Sequence, residues 1–256
     1  MEVVKSELLS IPRKIKSSIV NSLVSVVTDT VCIPIKQCRH YCGFRYGSDS
    51  FNPYENYITG LHKRQPINKL KKDFEDFLIF YRPQNFGDIF NIKFSKHIPL
   101  WIYPWQYGYD FNPNNGWLED INKVPDIITH FCKQGIKKSR IEEEYFWLER
   151  AYNLMKQVGY QPENNSCIQV FELKKKKESV FIVKDGNHRL SSLSALGYKE
   201  VIVKRYLLEG INETNYKNWH QIKISNYSEQ DALMLFNTYI LGVNDFKRAV
   251  EPGKII

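Results

Sequence analysis

The stretch that decides the fold is "FIVKDGNHRLSSLSALGYKEVIVK", residues 181–204. It opens on an apolar run, passes through Asp185 and Gly186, and continues as a short helical pattern, "HRLSSLSAL", ended by Gly197, the usual residue at a helix C-terminus. A second apolar run, "EVIVKRYLL", follows. The expected order is strand, turn, helix, strand. Five residues at the turn, Asp185, Gly186, Asn187, His188 and Arg189, exceed what ordinary turn chemistry needs, because a glycine alone suffices to reverse the chain.

Upstream, "SRIEEEYFWLERAYNLMKQVGY" reads as a helix with Ser139 as N-cap, glutamates in its first turn and Gly159 as its stop. The apolar runs 168–173 and 180–183, joined by four lysines, read as a β-hairpin, with two strands separated in the sheet left open. Downstream, "SEQDALMLFNTYILG" is helical. Nearer the start, Leu70, Phe74, Phe77 and Leu78 share one face of a helix in "INKLKKDFEDFLIFY", which "RPQNFGD" closes. In "IPLWIYPWQYGYDFNPNNGW" the odd positions Trp101, Tyr103, Trp105, Tyr107 and Tyr109 would face one way if extended, as a core stripe or as a stacking platform for a sugar or base. The "NPNNG" that follows is a turn.

A chain of 256 residues, 43% hydrophobic, can bury a substantial core, and it shows no internal repeat or flexible linker. The net charge of +8 is spread along the chain without a basic arm, so nucleic acid is not the expected partner. Five cysteines are an odd number over a long chain, which argues for free thiols and a reducing, cytoplasmic setting. In "CRHYC", Cys38, His40 and Cys42 alternate as strand neighbours on one face would, but a zinc site needs a second ligand pair and none is evident. No apolar run is long enough to span a bilayer. Ile15, Ile19, Leu23 and Val27, with Val20 and Val24, form a helical stripe. That helix would dock on the domain or a twin subunit, or give peripheral membrane contact through residues 12–28.

The turn itself suggests chemistry. Asn187, His188 and Arg189 fall on a helix's first turn, where unpaired N–H groups and the dipole attract anions, phosphate above all. Gly186 lets backbone approach closely, and His188 and Arg189 add side-chain donors. Asp185 opposes this positive charge, which makes sense if it holds Mg²⁺ on the phosphates or orients a reacting hydroxyl.

With the helix ending in "NLMKQVGYQP" before it, this segment resembles the ParB/sulfiredoxin-like superfamily over residues 139–206. Sulfiredoxin requires a cysteine where this chain has Asn187, and partition proteins carry an arginine where it has His188. The "DGHHR" turn of the free-serine kinases matches residues 185–189 with one substitution, at Asn187. That likeness implies an α+β fold, a small mixed sheet with flanking helices, occupying residues 131–210. An N-terminal extension over residues 1–130, helical and aromatic-rich, would pack on it, and a helical tail would span 211–256. It further implies a kinase that uses ATP or ADP with Mg²⁺. Gly186, Asn187, His188 and Arg189 would bind nucleotide, Asp185 would bind metal, and Glu142 would be the base, with Glu143 and Glu144 as rivals. His188 is also a catalytic candidate. The acceptor would be serine or, given the aromatic stretch, a sugar or glycan hydroxyl. The alternative implied by the same superfamily is a ParB-type nucleotide-dependent DNA-binding or nuclease-like protein.

Overall fold

The computed structural model describes residues 28–47, 50–80, 86–98, 102–106, 138–163 and 167–243, without the side chains of residues 80 and 207–210. The expected helix over residues 12–28, the "RPQNFGD" stop and the "NPNNG" turn lie wholly or mainly outside these residues, as do Trp101, Tyr107 and Tyr109.

The fold is mixed α+β. Its strands are β1 (Thr28–Pro34), β2 (Cys38–Arg39), β3 (Ile168–Lys175), β4 (Glu178–Asp185) and β5 (Glu200–Asn212). The helices are α1 (Pro53–His62), α2 (Ile67–Phe80), α3 (Lys138–Val158), α4 (Asn187–Ala195), α5 (His220–Lys223) and α6 (Glu229–Leu241). One sheet runs in the order β1-β5-β3-β4-β2. β3 pairs antiparallel with β4 and parallel with β5; β1 is antiparallel to β5 and β2 parallel to β4.

The hairpin is present, and tighter than the four lysines suggested. Lys174 and Lys175 remain in β3, leaving Lys176 and Lys177 as the turn, with Lys176 at φ +54°. Period-2 alternation then assigns β4 to two cores. Phe181 and Val183 pack with Leu190 and Leu193 of α4 and Met155 of α3. Val180 and Ile182 join Leu235, Phe236 and Tyr239 of α6 on the other side. The centre of the sheet is thus covered on both faces, which explains why β4 reads as an unbroken apolar run.

Helix ends follow their local chemistry, with one correction. Asn52 caps α1 by accepting from the amides of Tyr54 and Glu55, and Ser228 caps α6 through Asp231 N–H. After α4, Gly197 N–H bonds the Ser194 carbonyl and Tyr198 N–H that of Leu193, with Gly197 at φ +88°, a Schellman termination. Ser139, expected as the cap of α3, lies inside it, because the helix already includes Lys138.

Two edge strands come from well before the resembling segment. β1 runs along β5 from Thr28↔Tyr206 to Pro34↔Glu200, and Arg205 clamps it by bonding Asp29 on β1 and Glu172 on β3. The sheet therefore extends across the boundary expected near residue 130. Within the expected tail, α6 contributes Ala232, Leu235, Phe236, Tyr239 and Ile240 to the main core. Among the described residues no helix is long and apolar enough to cross a membrane.

Candidate active site

β4 delivers Asp185 at its last position, and Gly186 turns the chain at φ +95° into the first turn of α4. The Gly186 carbonyl accepts from Leu190 N–H at 2.9 Å, and no side chain caps the helix. First-turn amides of a helix have no intrahelical partner, which suits such a turn to an anion. Asp185, Gly186, Asn187, His188 and Arg189 all line one cleft of about 470 Å³.

α3 forms the opposite wall. Its stripe Arg140, Glu144, Trp147, Ala151 and Leu154 follows helical spacing and grades from charged to apolar. The glutamate that meets the turn is Glu144. Its carboxylate is 1% exposed, accepts from Arg140 Nη2 at 2.7 Å through Oε1 and faces His188 Nε2 at 2.9 Å through Oε2. Glu142 and Glu143 are exposed, neither lines the cleft, and Glu143 pairs with Arg140 at 2.8 Å. Of the three glutamates expected as candidates for the base, Glu144 meets the turn, whereas Glu142, two residues earlier on a 3.6-residue helix, does not line the cleft.

A carboxylate only accepts hydrogen bonds, so His188 Nε2 carries the proton it donates to Glu144. In the neutral ring the lone pair then lies on Nδ1, for which no partner is found among the described residues. Asn187 anchors the turn, its Oδ1 accepting from Tyr46 Oη at 2.8 Å. Arg189 Nη2 reaches Asp185 Oδ2 at 3.1 Å, leaving Asp185 about half exposed. Around the cleft, Arg140, Arg150, Lys184 and Arg189 outnumber Glu144 and Asp185 by two charges. Such a balance favours an anionic ligand.

No group of three or more His, Cys, Asp or Glu able to hold a metal occurs among the described residues. Asp185 alone fits Mg²⁺ only in the mode where one protein carboxylate shares the ion with ligand phosphates. Cys38 and Cys42 belong to different cores, since the chain turns at Tyr41 and Cys42. The Cys38 thiol is pushed up to about 12 by burial.

Among the wall residues that sequence reasoning missed are His40, Tyr54 and Trp147. Tyr54 stacks on His40 with centroids 4.9 Å apart, and its ring lies 6.0 Å from that of His188. Burial holds the Tyr54 hydroxyl well above the ordinary phenol range. The aromatic stretch does not reach the cleft within the described residues. Tyr103 and Trp105 stack on each other at 5.5 Å and pack against Trp219, Phe236 and Tyr239.

A larger cavity, of about 700 Å³, lies beside the C-terminal half of α4. Its buried carboxylate, Glu55, is held by Gly47 N–H and the Ser194 hydroxyl. No family model, curated protein or solved structure matches the chain.

Proposed function

We propose that the chain is a nucleotide-dependent phosphotransferase with an alcohol acceptor, built on a ParB/sulfiredoxin-like core. The element order α3-β3-β4-turn-α4-β5 supports the core assignment. One observation carries the activity: a buried carboxylate, Glu144, orients a histidine on the first turn of an uncapped helix, inside a cationic cleft.

In this reading the phosphates of ATP or ADP lie against the amides of Gly186 to Arg189, with Arg189 adding a charged donor. Mg²⁺ shared between Asp185 and those phosphates would neutralise charge during transfer. The acceptor hydroxyl gives its proton to Nδ1 of His188 as its oxygen bonds to phosphorus. The bond from phosphorus to the nucleotide's bridging oxygen breaks, and the departing nucleotide keeps that electron pair. Glu144 stabilises the imidazolium that forms. It is a positioning residue, because both of its oxygens are already engaged within the protein. Trp147, at the apolar end of the α3 stripe, offers a planar surface. With Tyr103 and Trp105 packed against the core and outside the cleft lining, the case for a glycan acceptor loses that support, and serine or another small alcohol is the better acceptor.

The test is nucleotide consumption with Mg²⁺ and ATP, ADP or CTP against serine and a panel of sugars. Turnover should require one acceptor. Glu144→Gln should bind nucleotide within a few-fold of wild type and lower kcat by about a hundred- to ten-thousand-fold, the span of general acid–base catalysis. Hydrolysis independent of any acceptor, or normal turnover by Glu144→Gln, would defeat the reading.

A further inference from the structure

His40 lines the same cleft from the segment that follows β2, although more than a hundred residues separate it from His188. It is 1% exposed and clamped among aromatic rings. Its centroid lies 3.9 Å from that of Tyr41, 4.9 Å from Tyr54 and 5.6 Å from Phe44. Nδ1 accepts from the Cys42 backbone N–H at 3.2 Å, which fixes the tautomer with the proton on Nε2. That Nε2–H is buried, and no atom of the described residues accepts it.

A buried donor without an acceptor costs about 1–3 kcal/mol and calls for an explanation. Burial rules out a surface role, and the turn is served by Nδ1 alone, so Nε2 on the far side of the ring is left to be explained. Metal binding is excluded by the tautomer, because the only nitrogen with a lone pair is already occupied. Burial, with His188 nearby, holds the imidazole well below its ordinary pKa, so His40 stays a neutral donor. Rigid rings on two sides keep it from turning to seek another partner.

We propose that His40 is a phosphate-binding residue of this cleft, its Nε2–H donating to an oxygen of the anion seated on the first turn of α4. This assignment rests on the proposed function for the identity of the ligand as a nucleotide, but it needs only that the cleft take a phosphoryl anion. The anion would then be held by donors of three kinds: helix amides, a guanidinium and a neutral imidazole. A neutral donor strengthens the grip without adding to the positive charge that Arg140 and Arg189 already bring to the cleft. It also explains why the ring is locked before ligand arrives: pre-ordered donors lose little entropy on binding.

The experiment uses the full chain and titrates pyrophosphate and ATP by calorimetry against wild type, Arg189→Ala, His40→Asn and His40→Gln. Asn places an acceptor near the Nδ1 position but has nothing at Nε2, whereas Gln places a donor near Nε2. His40→Asn should weaken pyrophosphate binding about 10- to 100-fold, as loss of a hydrogen bond to a charged group does, and His40→Gln should recover most of it. If His40→Asn does not fold, the imidazole N–H signal of wild-type His40 is followed by ¹H–¹⁵N NMR instead, and it should move downfield on adding pyrophosphate. Equal affinity of wild type and His40→Asn, or an unmoved N–H signal at saturation, would overturn the assignment while leaving the phosphotransferase reading intact. Pyrophosphate binding that depends on His40, without acceptor-dependent turnover of any nucleotide, would uphold the assignment and remove the kinase reading. If wild type binds neither pyrophosphate nor ATP, both fall.

Discussion

Gly186 sets the geometry of the whole site, and replacing it with alanine isolates that contribution. At φ +95° an L-residue is strained by about 1–2 kcal/mol. An added Cβ would lie 2.8 Å from Cγ1 of Ile168, a fully buried side chain on β3, and 3.0 Å from Nη2 of Arg189. Arg189 can swing away, but Ile168 is packed between sheet and helix, and overfilling such a place costs about 1–3 kcal/mol more. Gly197 is the internal control. It has a similar φ of +88° and nothing within 4 Å of the position a Cβ would take. Gly197→Ala should therefore show only the backbone part, reduced by about 0.4–1 kcal/mol through the stiffer unfolded chain. Urea unfolding should rank the variants wild type, Gly197→Ala, Gly186→Ala. The last step should be about 1–3 kcal/mol at unchanged m. Equal destabilisation of the two variants would refute the close approach to Ile168. Because the same substitution pushes Arg189 from Asp185, Gly186→Ala should also lose pyrophosphate affinity, which Gly197→Ala should keep.

Other consequences are separable. Arg205 hydrogen-bonds Asp29 and thereby holds its carboxyl below the ordinary 3.8. A depressed carboxylate contributes stability above its unfolded pKa, and that contribution is lost as pH falls through the folded value. Wild type should accordingly exceed Arg205→Met in unfolding free energy by about 1 kcal/mol near neutrality, with the gap narrowing below about pH 4; a gap independent of pH would contradict this. Cys32 is exposed and Cys38 buried with its thiol pushed up to about 12, so iodoacetamide should label Cys32 in the native protein and reach Cys38 only on unfolding, as peptide mass spectrometry would show. Arg39 donates to the carbonyls of Lys36, Cys38, Tyr239 and Ile240, the last two at the end of α6. Arg39→Met should therefore destabilise by about 2–4 kcal/mol in urea, and a loss below about 0.5 kcal/mol would show those carbonyls to be satisfied otherwise.

The strand–turn–helix–strand unit was legible because each signal in it is local. Apolar runs mark β4 and β5, and Gly186 and Gly197 sit at positive φ where the pattern asks for them. β1 was not legible: "TDTVCIP" has too few apolar residues to declare itself, and as an edge strand it exists through pairing with β5 some 170 residues later. The choice of Glu144 was within reach. Ile141, Glu144, Leu148, Tyr152 and Met155 form the buried stripe of α3, and only Glu144 of the three glutamates falls on it. A position implied by likeness along the chain fixes a distance on the helix but not its phase. His40 was hidden for a different reason. In the sequence it sits inside a cysteine pair, and its orphaned proton appears only when the ring is enclosed by Tyr41, Phe44 and Tyr54. Of the odd-numbered aromatics only Tyr103 and Trp105 are described, on a turn rather than an extended strand, and α6, far along the chain, supplies the surface that partly buries them.

A crystal structure of the full chain with ADP and Mg²⁺ would probe the phosphate site itself. The terminal phosphate should lie within hydrogen-bond distance of the α4 first-turn amides, with His188 still joined to Glu144 and a His40 Nε2 contact to a phosphate oxygen. Nucleotide seated instead in the cavity beside Glu55, or a first turn left without an anion at saturating ADP, would show that the turn at residues 185–189 is not a nucleotide site.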